Sequence, residues 1–186
     1  MTSLVSHALA IAIQTLVGLV FLSAAIGKVR HWAPFHGVVA NYRLLADFLI
    51  VPVTYGLPPA EALIAVMLLL RVAFPWPQVA AVGLLLLFAA AMGINVWRGR
   101  RDIDCGCFQS ALKQRLRWTL VIRNVVIALA LSLTLLLQQS STDVWIMMEA
   151  MLAAGVLFIL LQSLNLFWSI MPAWRRLPAL EAGVGP

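Results

Sequence analysis

The two cysteines of the chain, Cys105 and Cys107, are separated by a single glycine. Cysteine thiols exchange with disulfides, bind metals or carry lipids, so this pair is the strongest candidate for chemistry in the chain. Two cysteines placed at random would show this spacing in about one arrangement in a hundred. A buried apolar role, common for free cysteines, fits poorly because Asp102 and Asp104 precede the pair. The pattern therefore predicts a thiol site.

A Cys-Gly-Cys sequence can close on itself as a small disulfide ring. The spacing allows the Cα separation of a disulfide, and Gly106 permits the unusual dihedrals of such a ring. A strained disulfide has a higher reduction potential and is of the labile, catalytic type. Arg100 and Arg101 favour the thiolate, whereas Asp104 opposes it or accepts its proton. The predicted catalytic pair and its supporting neighbours are Cys105, Cys107, Asp104, Gly106 and Phe108.

Metal binding is the alternative use of two thiolates. Zinc and iron–sulfur clusters normally take four ligands. The three histidines, His7, His31 and His36, are distant from the cysteines in sequence. Only a site shared between two copies of the chain would complete the set, so we expect no metal.

The elements that must position this pair are membrane spans. Hydrophobic residues make up 63% of the chain and charged residues 11%, against about half and about a quarter in soluble domains. Since about 20 apolar residues cross a bilayer, we expect an all-α fold. It is a polytopic transmembrane helical bundle of about five spans, a four-helix core plus one. The predicted spans cover residues 4–27, 53–72, 78–97, 118–138 and 146–170.

These spans are expected to form one integral membrane domain over residues 1–174. A polar cysteine loop at 98–117 and a flexible tail at 175–186 complete the organisation. A short interfacial helix is also predicted over about 35–45.

Prolines interrupt the second span. Pro52, Pro58 and Pro59 lack the backbone N–H that a helix uses, so irregular backbone is expected to about Leu57, with a helix after it. Irregular backbone at membrane depth must be covered by protein or line a cavity. The sequence therefore predicts a pocket beside this segment.

Ionisable residues within spans are costly and usually face a partner or a cavity. Glu61 follows the paired prolines, and Arg123 lies about two turns into the fourth span. We expect these two to pair at shallow depth on the cysteine side, with Lys28 as a third member. The alternative is that Glu61 only favours its helix N-terminus and that Arg123 extends to the headgroups. Asn124 is expected to bond between helices.

The charge pattern indicates a membrane partner. The net charge of +6 does not indicate nucleic-acid binding, because the basic residues lie at the ends of apolar runs. Eleven of the 13 lysines and arginines fall on the cysteine side of the predicted topology. The positive-inside rule then places the cysteine loop in the cytoplasm.

The seven tryptophans mostly mark the membrane interfaces. Trp97 and Trp118 flank the cysteine loop and are placed to contact a ring-shaped ligand. A quinone is therefore the one cofactor to consider, and the sequence establishes none.

Four motifs follow one another along the chain: Phe21–Lys28 (FLSAAIGK), Leu57-Pro58-Pro59 followed by Glu61, Asp104–Phe108 (DCGCF) and Arg123-Asn124. Together they resemble the methylamine utilisation protein MauE family and its DoxX-like relatives. They cover roughly residues 20–130, and the DCGCF motif ahead of Arg-Asn is the most specific. One departure is Gln109, which follows Phe108 where the family pattern usually has glycine.

The resemblance implies a role in maturing methylamine dehydrogenase, whose small subunit carries many disulfides. It implies that subunit and a thioredoxin-like periplasmic protein as partners, and a multi-pass position in a bacterial inner membrane. Those disulfides form in the periplasm, whereas the charge count places the cysteine loop in the cytoplasm. The expected function is a membrane thiol–disulfide exchange factor, which would make the chain an oxidoreductase. The alternatives are a non-catalytic membrane assembly or transport scaffold for the same pathway and a small transporter, which no inverted repeat supports.

Overall fold

The computed structural model describes residues 2–100, 116–137 and 144–174. Within these ranges the chain forms helices and no strands, which confirms the predicted all-α class. Most of the predicted cysteine loop and the predicted tail lie outside the described residues. The helices are α1 (Thr2–Arg30), α2 (Trp32–Tyr42), α3 (Asp47–Leu70), α4 (Trp76–Trp97), α5 (Trp118–Leu137) and α6 (Val144–Trp174).

Four of these helices, α1, α3, α4 and α5, share one apolar core, as the prediction of a four-helix core requires. Helix α6 packs against α1 and, among the described residues, adds none to the core cluster. The buried core residues are Val17, Phe21, Ala65, Leu68, Ala81, Leu85, Ala128 and Leu131.

The outward faces of the bundle are also apolar. Leu63, Leu129 and Leu136, on α3 and α5, expose between 61% and 83% of their surface. Large apolar side chains in such numbers on the outside of every long helix would be costly in water, whereas lipid solvates them. Helices α1, α3, α4 and α5 are long and apolar enough to cross a membrane, and the apolar segment of α6 among the described residues is Met148–Leu164. The chain is a polytopic helical membrane protein.

Helix α3 corrects the prediction for the second span. The expected irregular backbone before Leu57 is wrong, because α3 is one helix with Pro52, Pro58 and Pro59 inside it. Each proline removes a single i→i−4 hydrogen bond. An unwound segment would leave several backbone groups without partners in hydrocarbon, so the continuous helix is the less costly structure.

The two halves of α3 pack against different neighbours. The C-terminal half runs antiparallel to α1, since Glu61 meets Lys28 and Leu69 meets Gly18. The N-terminal half extends past the end of α1 and packs against α2, where the rings of Trp32 and Tyr55 lie 4.9 Å apart. Helix α2 is the predicted interfacial helix, and it begins three residues earlier than expected. It covers the part of α3 that extends past the end of α1.

The closest approach of α1 and α3 is at Gly18. A Cβ atom built there would lie 2.9 Å from Cγ of Leu69 and 3.4 Å from the carbonyl oxygen of Ala65. Small residues permit such contact where no water is present to drive helices together. By contrast, a Cβ atom at Gly83 on α4 would meet no heavy atom within 4 Å.

Replacing Gly18 by leucine should therefore destabilise the bundle by about 1–3 kcal/mol, because the added atoms have no space between α1 and α3. The matched control, Gly83→Leu, points into open surroundings and should leave stability unchanged or slightly raised. Thermal unfolding of the detergent-solubilised protein, followed by circular dichroism, measures both. Equal unfolding midpoints for the two variants would contradict the close contact.

Candidate functional site

The structure describes four of the nine predicted site residues. Lys28 lies near the end of α1, Glu61 in the middle of α3, and Arg123 and Asn124 on α5. The other five, residues 104–108 with both cysteines, lie outside the described residues. Their predicted roles stay predictions.

Lys28 and Glu61 form a buried ion pair between α1 and α3. The Nζ atom of Lys28 donates a hydrogen bond to Oε1 of Glu61, and the two side chains are only 7% and 1% exposed. Glu61 lies fourteen residues after the start of α3, which is about 21 Å along the helix axis. Lys28 lies two residues before the end of α1, so the pair joins the end of α1 to the middle of α3. The shallow depth that the sequence predicts for the pair stays a prediction.

Two aromatic rings complete the surroundings of the lysine. Its Nζ atom lies 5.5 Å from the ring centroid of Phe35 on α2 and 5.2 Å from that of Phe88 on α4. Both distances are within the range of cation–π attraction. Helices α1, α2, α3 and α4 thus all contribute to holding one ammonium group in an apolar setting.

The carboxylate of Glu61 is only half satisfied. Oε2 is buried and has no hydrogen-bond partner among the described residues. A buried acceptor without a partner costs free energy. The group is therefore held there by the attraction of Lys28 and not by a complete hydrogen-bond network.

Arg123 does not join this pair, and the predicted Glu61–Arg123 contact is wrong. Lys28 occupies Oε1 of Glu61, and Oε2 accepts no hydrogen bond. The physical reason is the packing order: α3 packs against α1, α2 and α4, whereas α5 packs against α4 and α1. Arg123 is half-buried on α5, and the adjacent Asn124 is 5% exposed. The amide nitrogen of Asn124 makes no hydrogen bond among the described residues, so the predicted interhelical bond is not formed through that donor.

An apolar cavity of about 370 Å³ lies beside the pair. Lys28 is the charged residue in its wall, and α3 contributes Val53 and Leu57, from the segment that was predicted to border a pocket. The sequence did not indicate the aromatic walls from α2 and α4, because a phenylalanine in a span is usually a core residue. The lining comprises Lys28, Phe35, Val38, Val39, Tyr42, Leu44, Leu45, Val53, Leu57, Leu87, Phe88, Ala91 and Met92.

The described residue that follows the cysteine segment lies next to this cavity. Leu116, nine residues after Cys107, is fully buried in a cluster with Met92 and Val96 of α4. Tyr42 and Phe88 pack against the same cluster. Since Met92, Tyr42 and Phe88 also line the cavity, the start of α5 is fixed to the cavity wall.

The tryptophans that were predicted to contact a ring-shaped ligand do not line this cavity. Trp97 is 85% exposed and Trp118 50% exposed. Both therefore lie on the outer surface of the described part, where an interface role suits them. Within the described ranges there is also no group of three or more His, Cys, Asp or Glu residues that could hold a metal ion.

Comparison with known proteins identifies similar sequences. A family model described as "Methylamine utilisation protein MauE" matches residues 6–137. The chain is 48% identical over 123 residues to the methylamine utilization protein MauE of Paracoccus denitrificans, covering 66% of each chain. It is 47% identical to that of Methylorubrum extorquens, covering 60% of each chain. For the Paracoccus versutus protein the identity is 38%, over 80% of this chain and 81% of the relative.

The similarity thus spans slightly less than two thirds of the first two relatives and about four fifths of the third. No solved structure matches the chain.

The ion pair makes a specific prediction about stability. Lys28→Met should destabilise the protein by about 3–5 kcal/mol, because it leaves the Glu61 carboxylate buried without its counter-charge. The double variant Lys28→Met with Glu61→Leu should recover most of that loss, since it removes both charges together. Thermal unfolding in detergent measures the series.

Arg30→Met is the matched control, because this exposed cation lies two residues further along α1. It should change stability by less than about 0.5 kcal/mol. A double variant as unstable as Lys28→Met would contradict charge compensation and assign the loss to packing.

Proposed function

Because this chain belongs to the methylamine utilisation protein MauE family, we propose that it is a membrane thiol–disulfide exchange factor. It assists disulfide formation in the small subunit of methylamine dehydrogenase, during methylamine utilisation. The observation that carries the proposal is the pair Cys105 and Cys107, the only cysteines of the chain, with one glycine between them. Such a pair can alternate between dithiol and disulfide.

The exchange proceeds in two displacements. A thiolate of the small subunit attacks the Cys105–Cys107 disulfide at Sγ of Cys105, which forms a mixed disulfide and releases Cys107 as the thiolate. A second substrate thiolate then attacks the substrate sulfur of the mixed disulfide, which forms the substrate disulfide and releases Cys105. Two electrons and two protons move from the substrate dithiol to the chain. Where a thioredoxin-like periplasmic protein carries the electrons between the two, its dithiol takes the place of the substrate dithiol in these displacements, and its disulfide then oxidises the small subunit by the same exchange.

The reduced pair must then be re-oxidised. A two-electron acceptor of the quinone class takes up two electrons and two protons, becomes a quinol and regenerates the Cys105–Cys107 disulfide. Membrane quinones dissolve in the same hydrocarbon that surrounds this bundle. Leu116, which precedes α5, packs against residues of the cavity wall, and this supports a thiol segment that ends close to a lipid-soluble acceptor.

A non-catalytic assembly scaffold is the second candidate. The observation that favours it is the buried Lys28–Glu61 pair, which joins α1 and α3 without any cysteine. In that case replacing both cysteines should leave maturation of the small subunit intact, whereas replacing Glu61 should impair it. The two functions therefore differ in what cysteine variants do.

Trapping separates these functions. Cys107→Ser should accumulate a mixed disulfide between Cys105 and a partner on non-reducing gels, because the Cys107 thiolate that would attack Cys105 and release the partner is missing. The double variant Cys105→Ser with Cys107→Ser is the control; it should trap nothing and should leave the small subunit with unpaired thiols. If neither single variant traps a partner and the small subunit still matures in the double variant, the exchange proposal fails and the scaffold stands.

The same proposal predicts the compartment of the thiols. Substrate disulfides form outside the cytoplasm, so an impermeant maleimide added to intact spheroplasts should label Cys105 and Cys107 after mild reduction. The positive-inside rule gives the opposite expectation. Lys28 does not bear on that rule, because it is buried and neutralised by Glu61. Labelling only after the membrane is permeabilised would contradict direct exchange with a periplasmic partner. A cysteine introduced at Ala73, in the α3–α4 turn at the opposite end of the bundle, is the control for the other face.

A further inference from the structure

We propose that the cavity beside Lys28 is a binding site for a neutral, apolar molecule with a ring-bound carbonyl group, of the quinone class. As a binding site it follows from the described residues alone. Its use as the place of the electron acceptor rests on the proposed function.

The size and walls of the cavity fit a small ligand. At about 370 Å³ it exceeds the room for a single water many times over and lies within the usual range of ligand pockets. Valine, leucine, methionine and aromatic side chains form most of its wall. A wall of this kind binds water poorly and dissolves a hydrocarbon body well. The occupant must therefore be mostly apolar.

One polar group in the wall sets the orientation of that occupant. Lys28 carries three N–H donors and no acceptor. One donor binds Glu61, and among the described residues the ammonium makes no second hydrogen bond. Since Lys28 also lines the cavity, its remaining donors suit a ligand acceptor such as a carbonyl oxygen.

The charge balance selects a neutral ligand. Glu61 already neutralises Lys28, so an anionic ligand would add an uncompensated negative charge to an apolar cavity. Burying such a charge is far more costly than burying a carbonyl that accepts a hydrogen bond. A cationic ligand would meet the ammonium group directly. The pair therefore favours an acceptor without net charge.

The aromatic walls favour a ring over a plain chain. The ring centroids of Phe35 and Phe88 lie 5.5 Å and 5.2 Å from the Nζ atom of Lys28, and Tyr42 adds a third ring to the lining. Aromatic faces and edges next to a donor give a flat carbonyl-bearing ring both stacking and a hydrogen bond. A phospholipid acyl ester also offers a carbonyl group, but not a ring.

The test is direct binding of decylubiquinone to the intact chain in lipid nanodiscs, by equilibrium dialysis against empty nanodiscs. Ala91→Phe adds a large side chain to the cavity wall from α4 and leaves both residues of the ion pair unchanged. Ala90→Phe is the matched control, because the neighbouring Ala90 is exposed and absent from the lining. We expect saturable binding to the unmodified chain and to Ala90→Phe, and at least tenfold weaker binding to Ala91→Phe. Equal binding of decylubiquinone by the unmodified chain and both variants would overturn the proposed site.

The role of Lys28 is tested with the double variant Lys28→Met and Glu61→Leu, which removes the donor without leaving a buried charge. It should bind decylubiquinone about tenfold more weakly, which is the worth of one good hydrogen bond. It should retain decylbenzene, which has no carbonyl group, as well as the unmodified chain does. Unchanged quinone affinity in this variant would overturn the assignment and make the cavity a site for hydrocarbon chains.

Two lipid backgrounds separate the two sources of a carbonyl. Ether-linked phospholipids lack acyl carbonyl groups, so quinone binding should be the same in ether-linked and ester-linked nanodiscs. Binding that appears only in ether-linked lipid would reassign the cavity to the phospholipid ester. None of these measurements involves a thiol step, so a failure here leaves the exchange proposal to its own trapping test.

Discussion

The buried Lys28–Glu61 pair is the interaction on which the rest of this bundle depends. Either charge alone in hydrocarbon would be prohibitive, and only their mutual contact makes the burial of both tolerable. The contact fixes the register of α1 against α3, because a shift of one turn would separate the charges by about 5.4 Å. Gly18 and Leu69 meet further along the same interface, so close packing and the charge pair specify one alignment.

Helix α2 occupies its position because α1 and α3 are offset along their axes, with the last turn of α1 beside the middle of α3. Helix α3 continues past the end of α1. Without α2, the N-terminal half of α3 would therefore be uncovered on that side. Helix α2 covers this half through the contact of Trp32 with Tyr55 and brings Phe35 over Lys28. It does not fill the space completely, because residues of α1, α2, α3 and α4 line a cavity. The cavity is the space that remains, and the ammonium group is its one strongly polar feature.

The residue that leads into α5 packs beside the cavity. Helix α4 ends and α5 begins there, and Leu116 packs against residues that also form the cavity wall. A thiol pair in the intervening segment and a lipid-soluble acceptor in the cavity would satisfy the two halves of a redox cycle. The proposed exchange and the proposed binding site support each other in this way, yet each follows from different residues.

The predictions that succeeded were those that depend on composition and local pattern. Long apolar runs determined the helical class and the four-helix core, because lipid leaves the backbone no other way to satisfy its hydrogen bonds. The prediction of irregular backbone in α3 was wrong. The free-energy cost of prolines inside a helix is smaller than the cost of unwinding the backbone in hydrocarbon. The pocket beside that segment was predicted, although it lies beside a continuous helix that extends past the end of α1 and not beside broken backbone.

The sequence by itself determined the family motifs, the rare cysteine spacing and the presence of costly charges inside spans. It could not determine which charges meet. Glu61 has two basic candidates on other helices, and the choice of Lys28 over Arg123 depends on α3 packing against α1 and not against α5. The tertiary structure also decided that Phe35 and Phe88, far apart in sequence and unremarkable in composition, enclose the same ammonium group. Contacts between helices follow from their packing order, which no local pattern along the chain encodes.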